Sequence, residues 1–291
     1  MRTSFFIVVA LCLAGCRQAQ TPSHPATQPT AQTGATTSAA ALPRQISILT
    51  YNVLADPVAE RERVPAVLAI LKDSDADIIA LQEVAFWFLD ALKREPWITK
   101  YHLMEDHGSA VTCTGQRVLS RFPIEGFRAV DLPGRQGRQA TVARLRIGGR
   151  TMDIGCVHLE SPLEDGPTRA KQLDLLWPLL READDGMLVG DFNCGDGEQP
   201  DSVHLDAAYV DFWKALRPSE KGFTWDIEAS DMAAKGSFPG EKSRRVDRIL
   251  VRSKLWKPAE IRIVGNRPLR EGDKSLFPSD HFGLIGRMGR D

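Results

Sequence analysis

Asp191 and Asn193 stand two residues apart, directly after the apolar run Met187, Leu188, Val189 and the break at Gly190. On a strand such positions face the same way, so a carboxylate and a carboxamide are aimed at one small volume, as part of a reaction site or of a tight turn. The same grammar recurs along the chain. Asn52 follows QISILTY, Glu83 follows IIALQ, His158 closes TMDIGCVH, Asp247 lies in RVDRILV, and Asp280 with His281 precede FGLIG. Polar groups at several strand ends collect at one edge of a sheet scaffold, where strands hold them rigidly and loops open onto solvent. Carboxylates and a carboxamide without a cysteine cluster suit a hard divalent cation, Mg²⁺ or Mn²⁺, better than zinc. Two histidines supply proton-bearing donors to a phosphate, and an aspartate beside an attacking water accepts its proton. The substrate such a set fits is a phosphate ester.

Each position also has a bland counterpart. Asn52 can cap a turn or helix, Glu83 can be a helix-terminal charge, and His158 in an alternating strand can be a satisfied core histidine. Asp247, flanked by Arg245 and Arg248, can be surface ion pairing, and basic residues so spaced, with Arg244, Arg252, Arg135 and Arg138, read more readily as solvated surface than as a patch. Trp213 and Trp225 read as packing residues before substrate stackers. Ser161, ahead of a proline, either ends a strand or donates weakly to a phosphate.

The elements that must position these groups follow from periodicity. Gln45 to Tyr51 reads as a first core strand. Glu60 to Lys72 places Val64, Val67, Leu68 and Leu71 on one helix face, with Pro65 tolerable only near the first turn. Ile78 to Leu81 is a second apolar strand, Val84 to Arg94 is helix-compatible, and Tyr101 to Met104 and Gln116 to Leu119 read as strands. Ala140 to Ile147 and Thr151 to His158 flank Gly148 and Gly149, the clearest hairpin signal. Gly166 to Arg181 is a helix through Leu173, Leu176 and Leu180, with a kink or early end at Pro178. Arg245 to Val251, Ile261 to Val264 and Ser279 to Gly286 complete the strands, and no internal repeat is visible. Hairpins, and more strands than helices, predict an α+β fold of two packed sheets with helices outside, as one domain over 43–291.

Arg2, the apolar stretch Phe5 to Leu13 and the exit LAGC form a secretory pattern, too short to span a bilayer. LAGC resembles a bacterial lipobox, which implies a signal peptide over 1–15, a lipid on Cys16 and a membrane partner through that lipid. Arg17 in place of an aspartate favours the outer membrane of the cell envelope. Residues 16–42, rich in Gln, Thr, Ser, Ala and Pro, read as a disordered tether. With 43% hydrophobic and 26% charged residues, the rest of the 291-residue chain can build a sizeable core. A formal net charge of −1 does not advertise a non-specific duplex-DNA binder. Cys113, Cys156 and Cys194 match no metal-binding spacing; Cys156 reads as core, and Cys194 lies beside the candidate site.

LTYN, ALQEV, LSRFPI, HLES, VGDFN and PSDHFG, in that order, resemble the endonuclease/exonuclease/phosphatase superfamily over residues 45–288. Within it, HLES, FTWD, DFWK, RVDRI and FPSDHFGL resemble the tyrosyl-DNA phosphodiesterase 2-like branch. Tyr51, where the family commonly has tryptophan, and VGDFN in place of GDTN depart from that pattern. The resemblance implies a four-layer α-β-β-α sandwich with two mostly antiparallel sheets. It further implies Glu83 as principal metal carboxylate, with Asn52 beside it and Asp280 completing the shell. Asp191 would activate the water, Asn193 would position it, and His281, oriented by Asp247, would donate to a phosphoryl oxygen with His158 as second donor. The expected activity is Mg²⁺-dependent hydrolysis of a phosphodiester by a monomer, on nucleic acid, a phospholipid head group or a small phosphodiester. A scaffold that lost the reaction is the competing class; a zinc hydrolase on His158 and His281 lacks a close histidine pair or thiolate set.

Overall fold

The computed structural model describes residues 41–103 and 114–290. The leader, Cys16, nearly all of the tether, Met104 and Cys113 lie outside them. The elements in chain order are β1 (Gln45–Asn52), α1 (Glu60–Ser74), β2 (Ile78–Ala85), α2 (Phe86–Lys93), β3 (His102–Leu103), β4 (Thr114–Ser120), β5 (Ile124–Asp131) and β6 (Gln139–Ile147). They continue with β7 (Arg150–His158), α3 (Gly166–Leu179), β8 (Asp185–Asp191), β9 (Val210–Asp211), α4 (Phe212–Leu216), α5 (Asp231–Gly236), β10 (Asp247–Arg252), β11 (Lys257–Val264) and β12 (Gly283–Gly289).

The strands form two sheets, ordered β11-β12-β1-β2-β4-β3 and β5-β6-β7-β8-β10-β9. Pairing is antiparallel except in the middle of each sheet, where β1 lies parallel to β2 and β7 parallel to β8. Each parallel pair needs a crossover helix, supplied by α1 and α3. The two halves therefore repeat one β-α-β arrangement, of which the strand, helix and strand of the first half are legible in the sequence and the repetition is not.

Both faces of the central strands are buried, which is why their sequences are nearly continuous apolar runs. Ile46, Ile48, Ile78 and Ala80 meet Ile154, Cys156, Met187 and Val189 in the core between the sheets. The alternate residues Leu49, Tyr51, Ile79 and Leu81 pack under α1 and α2, and Leu188 and Val157 pack under α3 with Leu173, Leu176 and Leu180. Layers of helix, sheet, sheet and helix result, the predicted α+β sandwich.

Several boundaries moved. β2 runs to Ala85 because Val84 and Ala85 pair with Gly115 and Thr114 past a register shift, so α2 begins only at Phe86. Pro65 sits in the second turn of α1, not the first, on the exposed side, where its missing donor is cheapest. In the first turn, Arg63 is fully buried, while Val64 beside it is only partly so. α3 ends at Leu179 with Pro178 in its last turn. β5 carried no signal because it is a largely exposed edge strand, and the predicted strand at Ser279 begins only at Gly283. The Gly148–Gly149 hairpin is present, with φ of 51° and 85° at its two glycines.

Candidate functional site

At one end of the core between the sheets the inward-facing positions turn from apolar to polar. Thr50 and Asn52 continue the parity of Ile46 and Ile48; Gln82 continues that of Ile78 and Ala80; His158 that of Ile154 and Cys156; Asp191 that of Met187 and Val189. Asp247 shares the parity of Ile249 and Val251 and lies opposite Asp191 in register. All six of these polar side chains are buried.

A polar bridge ties the sheets just beneath. Gln82 donates through Nε2 to Thr50 Oγ1 at 3.1 Å within its own sheet and to Cys156 Sγ at 3.2 Å across the gap. Burial pushes the Cys156 thiol up to about 12, so it serves as a packed acceptor and not a nucleophile. Gly190 lets β7 and β8 approach closely: its φ is 129°, and a Cβ there would stand 2.2 Å from the Val157 carbonyl oxygen. Gly190→Ala is expected to cost about 2 kcal/mol or more, read as a lowered midpoint in urea with unchanged slope.

Glu83 breaks the parity. It adopts φ 57° within the register shift of β2, and this turns its carboxylate onto the site. Its Oε1 accepts from Asn52 Nδ2 at 3.0 Å and its Oε2 from the Ala55 amide at 2.9 Å. Asn52 also donates Nδ2 to Asp191 Oδ2 at 3.2 Å, while its Oδ1 accepts from the Leu54 amide at 3.1 Å. In this orientation Asn52 presents its NH₂ group, not its oxygen, to the two carboxylates.

Asp191 is the hub. Its Oδ2 lies 3.4 Å from His158 Nε2 and 3.5 Å from His281 Nε2, and its Oδ1 accepts the Asn193 amide at 2.9 Å. Asn193 is thus fixed by a tight turn at φ 51°, its Nδ2 donating to the Leu159 carbonyl at 2.9 Å, so the turn reading holds. Burial pushes Asp191 up to about 6, with His281 pulling down and Asp247 pushing up.

The two histidines are in opposite states. Burial alone would lower His281, but Asp247, whose Oδ2 meets Nδ1 at 2.9 Å, and Asp191 override it and hold the ring protonated well above its usual range. Burial and the neighbouring cations Arg138 and His281 push His158 well below its usual range. Arg138 Nη1 stands 3.0 Å from His158 Nδ1; an arginine has only donors to offer, so the neutral ring carries its proton on Nε2, facing Asp191. Asp280 is partly buried, and burial together with the Glu83 carboxylate pushes it up against the pull of His281.

Arg138 is the functional residue that sequence reasoning placed on the surface. Its signal was a basic Gly-rich loop, GRQGRQ, leading into a strand of the site sheet. Arg245 and Arg248 also depart from the surface reading: both are buried, gripping Asp196 and Asp211 on either side of Asp247. Cys194 packs in the outer core with the apolar residues under α3. Trp225 packs with Ala233 and Val246, yet its ring also lies 4.8 Å from that of His281.

Ligand atoms of Asp191, Asp247 and His281 lie within 4.8 Å of one another, a set that could hold a divalent cation. Protonated His281 already bridges those two carboxylates. Glu83 and Asp280 are like charges close enough for one to raise the other, and oxygen donors of the kind Mg²⁺ prefers.

The model of the Endonuclease/Exonuclease/phosphatase family matches residues 49–281, the span that carries every group above. The chain belongs to that family. It is 28% identical over 251 residues to tyrosyl-DNA phosphodiesterase 2 of Xenopus laevis, covering 82% of this chain and 65% of that one. To the Danio rerio protein of that name it is 25% identical over 250 residues, covering 82% and 66%. The chain therefore spans just under two thirds of these relatives' length. Among solved structures of the fold, D. rerio TDP2 complexed with single strand DNA product superposes with a TM-score of 0.72 at 23% identity, covering 85% of this chain and all (100%) of that one. A family member from Bacteroides vulgatus superposes with a TM-score of 0.63 at 16% identity, covering 85% and 99%.

Proposed function

We propose that this family member hydrolyses a phosphodiester by in-line attack of water on phosphorus, with a divalent cation, Mg²⁺ or Mn²⁺, bound. The reading is carried by the convergence of two imidazoles on one buried carboxylate, His158 Nε2 at 3.4 Å and His281 Nε2 at 3.5 Å from Asp191 Oδ2, with Asn52 linking that carboxylate to Glu83. Glu83 would hold the cation with Asp280, and Asn52 would orient the Glu83 carboxylate. When bound, the cation would polarise the phosphoryl group and ease departure of the leaving oxygen.

The other steps belong to the chain's own side chains. Asp191 Oδ2 accepts the proton of the attacking water, which Asn193 helps to place. Cationic His281, held by Asp247, donates through Nε2 to a non-bridging oxygen as charge builds there, and neutral His158 offers a second Nε2–H. Arg138, whose buried Nε has no hydrogen-bond partner, adds a fixed positive charge on the far side of His158.

The test is hydrolysis of bis(p-nitrophenyl) phosphate, single- and double-stranded DNA, RNA, a 5'-tyrosyl DNA end and a phospholipid, with Mg²⁺ and with chelator. Turnover of at least one ester that disappears with chelator is expected; no turnover of any of them with Mg²⁺ or Mn²⁺ overturns the reading. A phospholipid head group is the second reading, favoured by LAGC and the attachment it implies at Cys16. Export and lipid anchoring are proposed from that motif. Cys16→Ser should move the full chain from the membrane to the soluble fraction. No helix of the described residues is long and apolar enough to cross a membrane.

A further inference from the structure

The loop joining β5 to β6 brings Arg138 to the site although it carries no regular structure between Leu132 and Arg138. Its conformation is set from outside. Buried Glu160, two residues past His158, accepts the backbone amides of Arg135 and Gln136 on one oxygen, Oε1, both at 3.0 Å. Its Oε2 is buried without a partner and lies against Gly134, where a Cβ would come within 2.4 Å of it. Gln172 of α3 completes the seat, accepting the Glu160 amide at 3.1 Å and donating to the Pro133 carbonyl at 2.7 Å. At the loop's far end Gln136 Oε1 accepts the Ser161 amide at 2.8 Å and Arg138 Nη2 at 3.2 Å, and Arg138 Nη2 also reaches Ser161 Oγ at 2.5 Å.

We propose that Glu160 is a positioning residue that latches this loop through its two backbone amides and thereby fixes the Arg138 guanidinium beside His158 for a substrate oxyanion. The inference rests on the phosphoester reading of the site. The geometry makes Glu160 an acceptor at a defined reach: one oxygen receives both amides, and the other receives nothing. Glutamine at this position keeps an oxygen at that reach, loses the charge and puts an NH₂ group where Oε2 has no partner. Aspartate keeps the charge and withdraws the oxygen by one methylene.

Glu160→Gln, Glu160→Asp, Arg138→Ala and the Glu160→Asp/Arg138→Ala double variant of the full chain test this by three readouts. These are amide hydrogen exchange over 133–138, affinity for inorganic phosphate, and kcat and KM on bis(p-nitrophenyl) phosphate. E160D is expected to expose the Arg135 and Gln136 amides to exchange. It should also weaken phosphate binding and raise KM by about tenfold, following one lost charge-assisted contact. E160Q should stay within about threefold of wild type in all three, an interval of under 1 kcal/mol. In the double variant the losses should not multiply, because E160D acts through Arg138. Gln136→Ala, at an exposed position, should shift phosphate affinity and KM in the same direction even if E160D folds poorly. The proposal is overturned if E160Q is as impaired as E160D or worse, if the amides stay protected in E160D, or if the E160D and R138A losses multiply. A wild-type chain that turns over no ester defeats the phosphoester reading instead, while exchange and phosphate affinity still decide whether Glu160 acts through Arg138.

Discussion

Replacing Asp191 by asparagine is expected to lower kcat by about 10²- to 10⁴-fold while leaving the fold intact, the range a general base contributes. Asparagine keeps an oxygen for the Asn193 amide, so the turn survives, but it cannot take a proton from water. The carboxylate form is the active one, and burial places its titration at about 6. Below that pH Asp191 is protonated and kcat/KM should fall tenfold per unit; above it the profile should level, with a bound cation drawing the limb to lower pH. In the asparagine variant the acid limb attributable to Asp191 should vanish from the residual rate. A folded D191N enzyme, by circular dichroism and urea midpoint, that retains wild-type kcat removes Asp191 from the mechanism. His281→Ala should cost about 10²- to 10³-fold, as for loss of one preorganised donor, because the non-bridging oxygen would then lose the Nε2–H that Asp247 holds in place.

Most of this site was legible because strand parity is a strict rule. The residues that end apolar runs on the inner parity, Asn52, His158 and Asp191, had to reach the gap between the sheets, and they do. Glu83 was found by its position after an apolar run, but parity alone would have pointed it outward; a left-handed residue in a bulge re-aims it, and no residue type at that point announces such a turn. Buried arginines were misread for a different reason. Whether a guanidinium is solvated or buried depends on carbonyls and carboxylates converging from distant segments, as Asp196 and Asp211 do on Arg245 and Arg248. That convergence has no local signature. The first β-α-β half could be read from periodicity, but its repetition in the second could not, because the halves share topology and not residues.

Arg63→Ala is expected to destabilise the domain by about 3 kcal/mol or more. Arg63, in the first turn of α1, is buried without a carboxylate hydrogen-bonded to it, and its donors all go to backbone carbonyls. Nε meets Val58 at 2.7 Å, Nη1 meets Val53 at 3.2 Å and Pro278 at 3.0 Å, and Nη2 meets Leu54 at 3.3 Å and Asp56 at 2.7 Å. A charge-assisted hydrogen bond contributes about 1.5–3 kcal/mol, and leaving its buried partner unsatisfied costs more than the bond was worth. Five carbonyls would lose this donor together, so even partial access of water leaves a loss of the size stated. Arg169 occupies the equivalent turn of α3 and grips the Glu160, Pro162 and Leu163 carbonyls, but it also pairs with Asp201 at 2.6 Å. The two differ in what they hold. Arg63 ties the segment after Asn52, whose Ala55 amide seats Glu83, to Pro278 just ahead of Asp280, and so joins both proposed cation ligands through one side chain. Arg63→Lys keeps the charge but offers three donors on a point-like head, so it should recover part of the stability and little of the activity. A urea midpoint for R63A within 1 kcal/mol of wild type would show that these carbonyls find water as readily as they find the guanidinium.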